Sequence, residues 1–355
     1  MNNTYLVSLL GKITVSVLGV LISAVINRSL GPELKGNYAY FINWINICIN
    51  ILSWGMVTTC CTYRKKQGDG VFRIFLSLSM IHAGVIFFVA LLGHGLGIAK
   101  SPIFMLLLGA GILRFNALNL YGLYDIKKQN LCNVILKGIT LILTFLVIKN
   151  TYSSNLLGKA YLSAFLSDIC FFVVLSWIFQ KELKNNRINQ RLSYKEIYQL
   201  GFFSMLLQVL GNINYSLDLI FLKRMGSFHE VGIYSVAVYI ANLFWLISDA
   251  FKDVIYCKAS KNEMGRGIVK ICKNAMMVSI LICFLYFIFG NWIIRLLYGD
   301  MYDEAYGISL VLVLGHLGMI FYKIIHPYYV SEGKQKWIVT VLITAIVING
   351  MGNCI

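Results

Sequence analysis

Amide, hydroxyl and phenol side chains recur at helical spacing within several long apolar segments of this chain. One segment carries Asn43, Asn46, Asn50 and Ser53 at i, i+3, i+7 and i+10, which places them on one helix face. Two later segments carry comparable sets: Gln208, Asn212, Tyr215 and Asp218, then Ser235, Tyr239, Asn242 and Asp249. Polar groups at membrane depth either bridge packed helices or line a hydrated cavity. Several such faces in one chain favour a shared cavity.

Full charges are rarer in these segments and more informative. Arg114 and Asp168 each lie near the middle of a segment, where neither can reach the membrane surface. They are therefore the first candidates for a substrate site, although an ion pair that only locks helices together would place the same residues there.

Four other charged residues, Lys12, Lys137, Asp218 and Lys323, have more ordinary explanations, because each lies away from the centre of its segment. Lys12 and Lys137 are nearer to segment ends, so their long side chains can extend to the interface instead of lining the cavity. Asp218 lies close to Lys223 and Arg224 and can pair with them. We keep Lys12 and Lys137 as cavity candidates, and Asp168, Asp218 and Asp249 as candidates for coupling to a proton or sodium gradient.

The composition indicates a membrane protein. Of the 355 residues 58% are hydrophobic and only 13% are charged, against about 25% charged in soluble domains. About eleven segments are long and apolar enough to span a bilayer. They are predicted at roughly 5–27, 38–61, 74–97, 102–123, 131–149, 156–180, 200–222, 232–251, 274–297, 306–329 and 337–355.

The loop charges predict an orientation. Most Lys and Arg residues fall in the loops that follow even-numbered segments. Because cytoplasmic loops retain positive charge, the N-terminus is predicted to be cytoplasmic. The excess positive charge, +16 in all, is therefore concentrated in the loops on one side of the membrane, a distribution that does not indicate nucleic-acid binding.

A short motif occurs twice, after the first and the seventh segment. Arg28 and Arg224, Gly36 and Gly232, and Tyr38 and Tyr234 each differ by 196 in number. An even number of segments separates the copies, which predicts two parallel six-helix repeats with the second one short of a helix. We expect an N-terminal bundle over 1–180, a basic cytoplasmic linker over 181–199 and a C-terminal bundle over 200–355. The motif arginines are expected to shape and anchor the turns.

Catalysis is not indicated. The loops are too short to hold a catalytic domain, the five histidines lack metal-ligand spacing, and there is no nucleotide-binding loop. We therefore predict no enzyme activity, no metal and no cofactor.

Several motifs together resemble polysaccharide flippases of the O-antigen and capsule (Wzx) type, which are related to multidrug and toxic-compound extrusion transporters. The resemblance rests on Arg28-x-Leu30-Gly31-Pro32-Glu33-x-x-Gly36-x-Tyr38-Ala39, Tyr215-x-x-Asp218, Val231-Gly232-x-Tyr234-Ser235, Tyr298-Gly299-x-x-Tyr302-x-x-Ala305 and Gly333-Lys334. It covers essentially the whole chain.

This resemblance implies an all-α fold of two bundles around a V-shaped cavity in the bacterial inner membrane. It implies movement of undecaprenyl-pyrophosphate-linked sugar repeats to the periplasmic leaflet, with an O-antigen polymerase and a chain-length regulator as possible partners beside the membrane lipids. The resemblance implies a cationic cavity, for which Arg114, Lys137 and Lys12 are the matching candidates. With the polar faces and the mid-segment charges described above, the predicted cavity residues are Arg114, Lys137, Asp168, Lys12, Asn46, Asn50, Gln208, Asn212, Tyr215 and Asn242. Two alternatives stay open: a drug or cation antiporter of the same fold, and a membrane glycosyltransferase or O-antigen polymerase.

Overall fold

The computed structural model describes residues 3–96, 102–149, 155–183, 193–260, 268–332 and 334–352, and within them the regular structure is entirely helical. The helices are α1 (Asn3–Leu52), α2 (Met56–Gln67), α3 (Val71–Gly95), α4 (Ile103–Tyr124), α5 (Ile126–Lys149), α6 (Leu156–Glu182), α7 (Tyr194–Met225), α8 (Phe228–Leu243), α9 (Leu246–Ser260), α10 (Ile268–Tyr298), α11 (Ala305–Ser331) and α12 (Gln335–Gly352). A short 3₁₀ turn, Asp300–Tyr302, links α10 to α11.

The outer surface of the bundle is apolar. Leu91 and Val311, for example, are 70% and 72% exposed, and Phe88 and Trp292 also face outward. A soluble protein does not expose so much apolar surface, whereas lipid chains cover it without cost. The chain is a multi-pass membrane protein.

Within the described residues, seven helical stretches have the length and composition to cross a bilayer, and two bent helix pairs raise that number to nine. The first stretch, Val7–Gln67, has 61 residues. As one straight helix it would be about 90 Å long, three times the hydrocarbon thickness of ~30 Å. The chain breaks at Gly31 (φ 68°), so this stretch contains the first two predicted spans. The shorter apolar helix Lys336–Ile348 falls in the last predicted span.

Several spans are broken, which the sequence periodicity did not predict. The second span breaks at Trp54 and Gly55, whose φ angles are 48° and 60°, before it continues as α2. The eighth bends by 59° between α8 and α9, and α7 bends by 47° after Ile213. The predicted linker over 181–199 is also shorter than expected: α6 ends at Glu182 and α7 begins at Tyr194, with 184–192 outside the described residues.

Each half of the chain has its own apolar core. Phe72, Phe75, Tyr121 and Phe179 join α3, α4 and α6. In the other half, buried residues of α8, α10 and α11 pack together, among them Ala237, Ile294 and Val313. Ile197 of α7 also belongs to the first cluster, so the halves pack on one another as well as within themselves.

The two copies of the motif pack against each other. A Cβ atom at Gly36 would collide with the backbone carbonyl of Phe228, and one at Gly232 would collide with that of Pro32. Phe228 is 196 residues beyond Pro32, so the two contacts are equivalent under the sequence repeat. Such reciprocal contacts are those of a two-fold axis between the halves. We call this end of the bundle the Gly31 end.

The opposite end shows a second reciprocal pair of contacts. Ser8 donates to the carbonyl of Ala250 at 3.3 Å, while its repeat equivalent Ser204 lies against Gly55 and accepts from Thr59 at 3.5 Å. We call this end the Asp125 end, after the turn between α4 and α5. The first two helices of each half therefore meet those of the other half on both sides of the centre.

Candidate functional site

A cavity of about 560 Å³ lies between the two halves, roughly midway between the two ends. It is lined by Asn46, Ile49, Asn50, Thr58, Gly111, Arg114, Phe115, Leu118, Asn119, Asp168, Leu207, Gln208, Gly211, Asn212, Lys252, Tyr322, Lys323 and His326. We call it the central cavity. Both halves contribute residues, so relative motion of the halves must change its shape.

One wall of the central cavity carries an ion pair. Arg114 on α4 donates to the Asp168 carboxylate on α6 at 2.7 Å, and its guanidinium also lies 5.4 Å from the centre of the Phe171 ring. The Arg114 side chain remains 39% exposed, against 15% for Asp168. Asp168 therefore fixes the guanidinium from behind, while donors of Arg114 face the cavity.

The facing wall carries two lysines around one carboxylate. Lys323 on α11 lies 2.9 Å from Asp249, and Lys252 on α9 lies 3.2 Å from the same oxygen. Both lysines line the central cavity, together with His326 and Tyr322, whereas Asp249 does not. As on the first wall, a carboxylate holds cationic groups that face the cavity, but here the carboxylate itself is not part of the lining.

Aromatic residues hold Lys323 in place. Its ammonium lies 3.8 Å from the centre of the Trp245 ring, and Trp245 stacks on His316 with ring centres 3.8 Å apart. Trp245 donates from its indole to the carbonyl of His316, whose ring bonds Asn242 at 3.1 Å. Since Trp245 sits at the junction of α8 and α9, this cluster also fixes the bend of that span.

Amides supply the neutral part of the lining. Asn46, Asn50, Asn119, Gln208 and Asn212 all face the central cavity. Asn212 donates to the carbonyl of Asn46 at 3.4 Å, a contact between the two halves. Amide groups offer both donors and acceptors, which suits the hydroxyls of a sugar.

The lining carries more positive than negative charge. Arg114, Lys252 and Lys323 are cationic, while Asp168 is the single carboxylate among the residues that line it within the described chain. With Asp249 counted behind its wall, three cations face two carboxylates. Because the carboxylates do not neutralise all three cations, an anionic group can bind there without first displacing a carboxylate from every cation.

Six of the residues predicted from the sequence do meet at this cavity: Asn46, Asn50, Arg114, Asp168, Gln208 and Asn212. Lys137 is close enough to interact electrostatically with Arg114 and Asp168 but does not line the cavity. Tyr215 lies in α7, and its side chain is outside the described residues.

The remaining predicted residues lie elsewhere. Lys12 pairs with Asp253 at 2.5 Å, so its charge is neutralised away from the central cavity. Asn242 bonds His316 behind the cavity wall, and Asp218 accepts from the motif residue Tyr234 at 2.9 Å. Asp249 serves the two lysines instead of facing the cavity as a free carboxylate.

The sequence reasoning missed most of the second wall. Tyr322, Lys323 and His326 lie within one turn of α11, and Tyr322 and His326 are four residues apart on one face. The same search for polar faces that found the earlier stripes would have found this one. Lys252 was missed because a lysine that follows an apolar segment is usually a loop residue.

The central cavity continues towards the Asp125 end. A second cavity of about 240 Å³ shares Thr58, Asn119, Gln208, Lys252 and His326 with it. Beyond this cavity the halves touch again, where Cys257 donates to the carbonyl of Leu123 at 3.3 Å and Lys65 pairs with Glu332 at 2.9 Å.

The Gly31 end is closed as well. Arg28 donates to the carbonyls of Leu296 and Leu297 at 2.6 and 3.0 Å, and Tyr302 donates to that of Asn27 at 3.2 Å. Arg28 thus anchors the turn on the last carbonyls of α10, which have no partner within their own helix. Contacts between the halves flank the central cavity on both sides.

No group of three or more His, Cys, Asp or Glu side chains in the described part of the chain is arranged to hold a metal ion.

Comparison with known proteins gives a family match over part of the chain. The MatE family model matches residues 256–355. No curated protein matches.

Solved structures match over nearly the whole chain. A mutant of the Vibrio cholerae MATE transporter VcmN superposes with a TM-score of 0.68 at 12% identity, covering 96% of this chain and 84% of that one. A multidrug resistance MATE family transporter of the MOP superfamily, in an outward-facing conformation, gives 0.68 at 17% identity, with coverage of 96% and 84%. A MATE protein in a bent conformation gives 0.60 at 15% identity, covering 99% and 97%. This chain therefore has the fold of the MATE transporters.

Proposed function

We propose that this protein moves an anionic, lipid-linked oligosaccharide across the membrane by alternating access. The observation that supports this substrate class is the cationic lining of the central cavity, where Arg114, Lys252 and Lys323 face a single lining carboxylate. A pyrophosphate linker needs such donors, and Arg114 offers them in the planar geometry that phosphate oxygens accept. Asn46, Asn50 and Asn212 lie beside them for sugar hydroxyls.

Alternating access follows from the two sets of contacts between the halves. Contacts at the Gly31 end and at the Asp125 end enclose the cavity, so each set has to separate in turn for the cavity to open. The substrate would be an undecaprenyl-pyrophosphate-linked repeat unit, which enters from the cytoplasmic leaflet of a bacterial inner membrane. In this proposal the N-terminus is cytoplasmic, and the polymerase and chain-length regulator receive the product.

A drug or cation extruder is the second candidate, and the fold favours it. One matched structure is a multidrug resistance transporter, and the MatE model covers the last 100 residues, 256–355. In that case Asp168 would bind a cationic substrate after release from Arg114. The flippase needs Arg114 to bind an anion, whereas the extruder needs Asp168 to bind a cation. The two functions can therefore be distinguished experimentally.

The test reconstitutes the purified chain into vesicles that contain a fluorescent lipid-pyrophosphate oligosaccharide and measures its exchange between leaflets. A parallel set of vesicles measures ethidium transport under an imposed proton or sodium gradient. Exchange of the lipid above the rate in protein-free vesicles, abolished by Lys323→Gln, would support the flippase. Ethidium transport without lipid exchange would replace it with the extruder. Exposed Lys66, outside the cavity, supplies the matched control Lys66→Gln.

A further inference from the structure

A third cavity, of about 370 Å³, lies between the two halves at the Asp125 end. It is lined by Arg64, Asp69, Tyr124, Asp125, Ile126, Lys127, Lys128, Val254, Cys257 and Lys258. We call it the Asp125-end pocket. It meets the second cavity at Ile126 and is on the side that the loop charges predict to be cytoplasmic.

The charge of this pocket is unbalanced. Four cationic side chains line it against two carboxylates, both of which are already engaged. Lys128 also pairs with Glu182, outside the lining, at 2.8 Å, so four cations face three carboxylates in all. Asp69 accepts from Arg64 at 2.7 Å. Asp125 accepts from the backbone N–H groups of Lys127 and Lys128 at 3.0 and 3.2 Å.

Arg64 forms a rigid wall of the pocket. Its side chain is only 4% exposed, lies 5.0 Å from the centre of the Phe72 ring and donates to the carbonyls of Leu123 and Tyr124. Lys127, in contrast, is exposed and has no carboxylate within 4.0 Å among the described residues. The pocket thus combines a fixed cationic wall with an ammonium group that can reach a ligand.

The pocket also bridges the halves where they close. Lys127 and Lys128 belong to α5, whereas Lys258 belongs to α9. Directly beside them Ile126 packs on Val254 and Cys257, and Cys257 donates to the carbonyl of Leu123. Opening of this end would carry Lys258 away from Lys127 and divide the pocket.

We propose that the Asp125-end pocket binds a phosphate group and that its occupancy holds this end of the transporter closed. Phosphate is the fitting class because its oxygens accept several charge-assisted hydrogen bonds at once, from lysines on both walls. A ligand that binds only the closed state must shift the equilibrium towards it. The phosphate can come from the headgroup of an anionic lipid or from a free ion. This regulation rests on the proposed transport cycle, whereas binding of phosphate does not.

Cys257 reports on both binding and closure, because it lines the pocket and is only 6% exposed. The experiment measures the rate at which N-ethylmaleimide alkylates Cys257, read by peptide mass spectrometry, with half-buried Cys132 as the internal reference. Protein in detergent receives inorganic pyrophosphate. Protein in nanodiscs of phosphatidylcholine is compared with protein in nanodiscs that contain phosphatidylglycerol, which distinguishes a free anion from a headgroup.

We expect at least one probe to slow alkylation of Cys257 about tenfold without changing Cys132, and to raise the melting temperature. Lys127→Gln/Lys258→Gln should abolish this protection, and Lys127→Arg/Lys258→Arg should retain it. The matched control is Lys66→Gln/Lys195→Gln, which removes two exposed lysines outside the pocket, one from each half.

The proposal is overturned if neither probe protects Cys257, or if the glutamine double variant is protected as well as the wild type. Vesicle transport by the same variants separates this result from the proposed function. Loss of protection with transport intact supports a regulatory site, whereas protection in a protein that transports no lipid retains the pocket and removes the flippase.

Discussion

At the residue scale, the geometry of the Arg114–Asp168 ion pair bears on whether the substrate is an anion or a cation. Arg114 is the more exposed partner, so its guanidinium rather than the carboxylate is presented to the central cavity. An ion pair that merely locked α4 to α6 would tolerate loss of both charges together. A site for an anion would not.

We predict opposite effects for the two neutral variants of this pair. Arg114→Gln should weaken binding of an anionic lipid-linked oligosaccharide by about tenfold, the loss of one charge-assisted hydrogen bond. Asp168→Asn should leave binding unchanged or tighten it, since Arg114 loses its competing partner. Equilibrium binding to the protein in nanodiscs measures both. If Asp168→Asn abolished binding while Arg114→Gln was tolerated, a cationic substrate would be indicated instead.

A second residue-scale prediction concerns Asp249, which two lysines share. Asp249→Asn would remove the carboxylate that lies 2.9 Å from Lys323 and 3.2 Å from Lys252, although Lys323 is only 12% exposed. We expect a loss of stability of about 1–3 kcal/mol, less than for a fully buried pair. Thermal unfolding in detergent checks this.

The double variant Asp249→Asn/Lys323→Met provides the control. It removes one charge of each sign and should recover most of the lost stability, because a single lysine remains. Equal destabilisation by the single and the double variant would show that Asp249 acts through packing and not as the counter-charge of the lysines.

At the scale of elements, the paired glycine turns explain why the motif occurs twice. Gly36 and Gly232 let each turn approach the backbone of the other, a contact that any side chain would prevent. The contact is reciprocal, so one substitution on either side should have the same effect. The equivalence of the two contacts therefore belongs to the packing of the first two helices of each half and not to a single residue.

We predict that Gly36→Ala and Gly232→Ala each open the Gly31 end. A membrane-impermeant maleimide added on that side should label Asn212→Cys, in the central cavity, at least about tenfold faster in either variant, since the two turns can no longer approach each other. Gly84→Ala is the control, because a Cβ at Gly84 meets no atom within 4 Å. An unchanged labelling rate in both glycine variants would exclude these turns as the closing contact.

The ion pair between Lys65 and Glu332 joins α2 to the end of α11 at the opposite end. The hydrogen bond from Lys65 lowers the pKa of Glu332 below its usual value of 4.5. A lowered carboxyl pKa means that the contact is complete above the ordinary pKa and is lost as the pH falls through the lowered one.

Acidification removes thiolate and so slows alkylation of every cysteine, which makes the rate at Cys257 relative to that at Cys132 the informative quantity. We therefore expect acidification to raise this ratio in the wild type. In Glu332→Gln the ratio should be high already at neutral pH and depend less on pH. Because Glu332 is exposed, the effect should be small and should diminish with salt. Identical pH profiles for the two proteins would assign the closure of this end to Cys257 and its neighbours alone.

The elements also show how far sequence reasoning reaches. Long apolar runs define membrane helices without any knowledge of their neighbours, and the polar stripes of Asn46, Asn50, Gln208 and Asn212 do face the central cavity. Helical spacing predicts which residues share one face of a helix, but it does not predict which residues of other helices that face contacts. Lys12 and Asn242 have the residue type and membrane depth expected of cavity residues. Lys12 is nevertheless paired with Asp253, and Asn242 is hydrogen-bonded to His316. The break at Trp54 depends on Tyr198, which accepts from its indole 144 residues away.

At the scale of the whole molecule, the two halves of the chain meet on both sides of one polar cavity. The cavity contains the buried charges of both walls, whereas the surface towards lipid is apolar. Such a molecule can expose the cavity to one side only if the contacts at that end separate and those at the other end persist. Under the proposed alternating access, each end has to open once in every cycle.

We predict that a covalent lock at either end stops transport and leaves substrate binding intact. At the Asp125 end, Leu123→Cys can be oxidised with the natural Cys257, which already contacts the Leu123 carbonyl. At the Gly31 end, Arg28→Cys and Leu296→Cys can be bridged by a bifunctional methanethiosulfonate reagent, because their contact runs through the full length of the Arg28 side chain, too far for a direct disulfide. Lipid exchange in vesicles should stop on cross-linking and return on reduction in both cases. The double variant Leu123→Cys/Cys257→Ser cannot form this disulfide, so its rate of lipid exchange should not change when the oxidant is added. Continued exchange in either fully cross-linked protein would show that this end does not have to open, and alternating access would have to be abandoned.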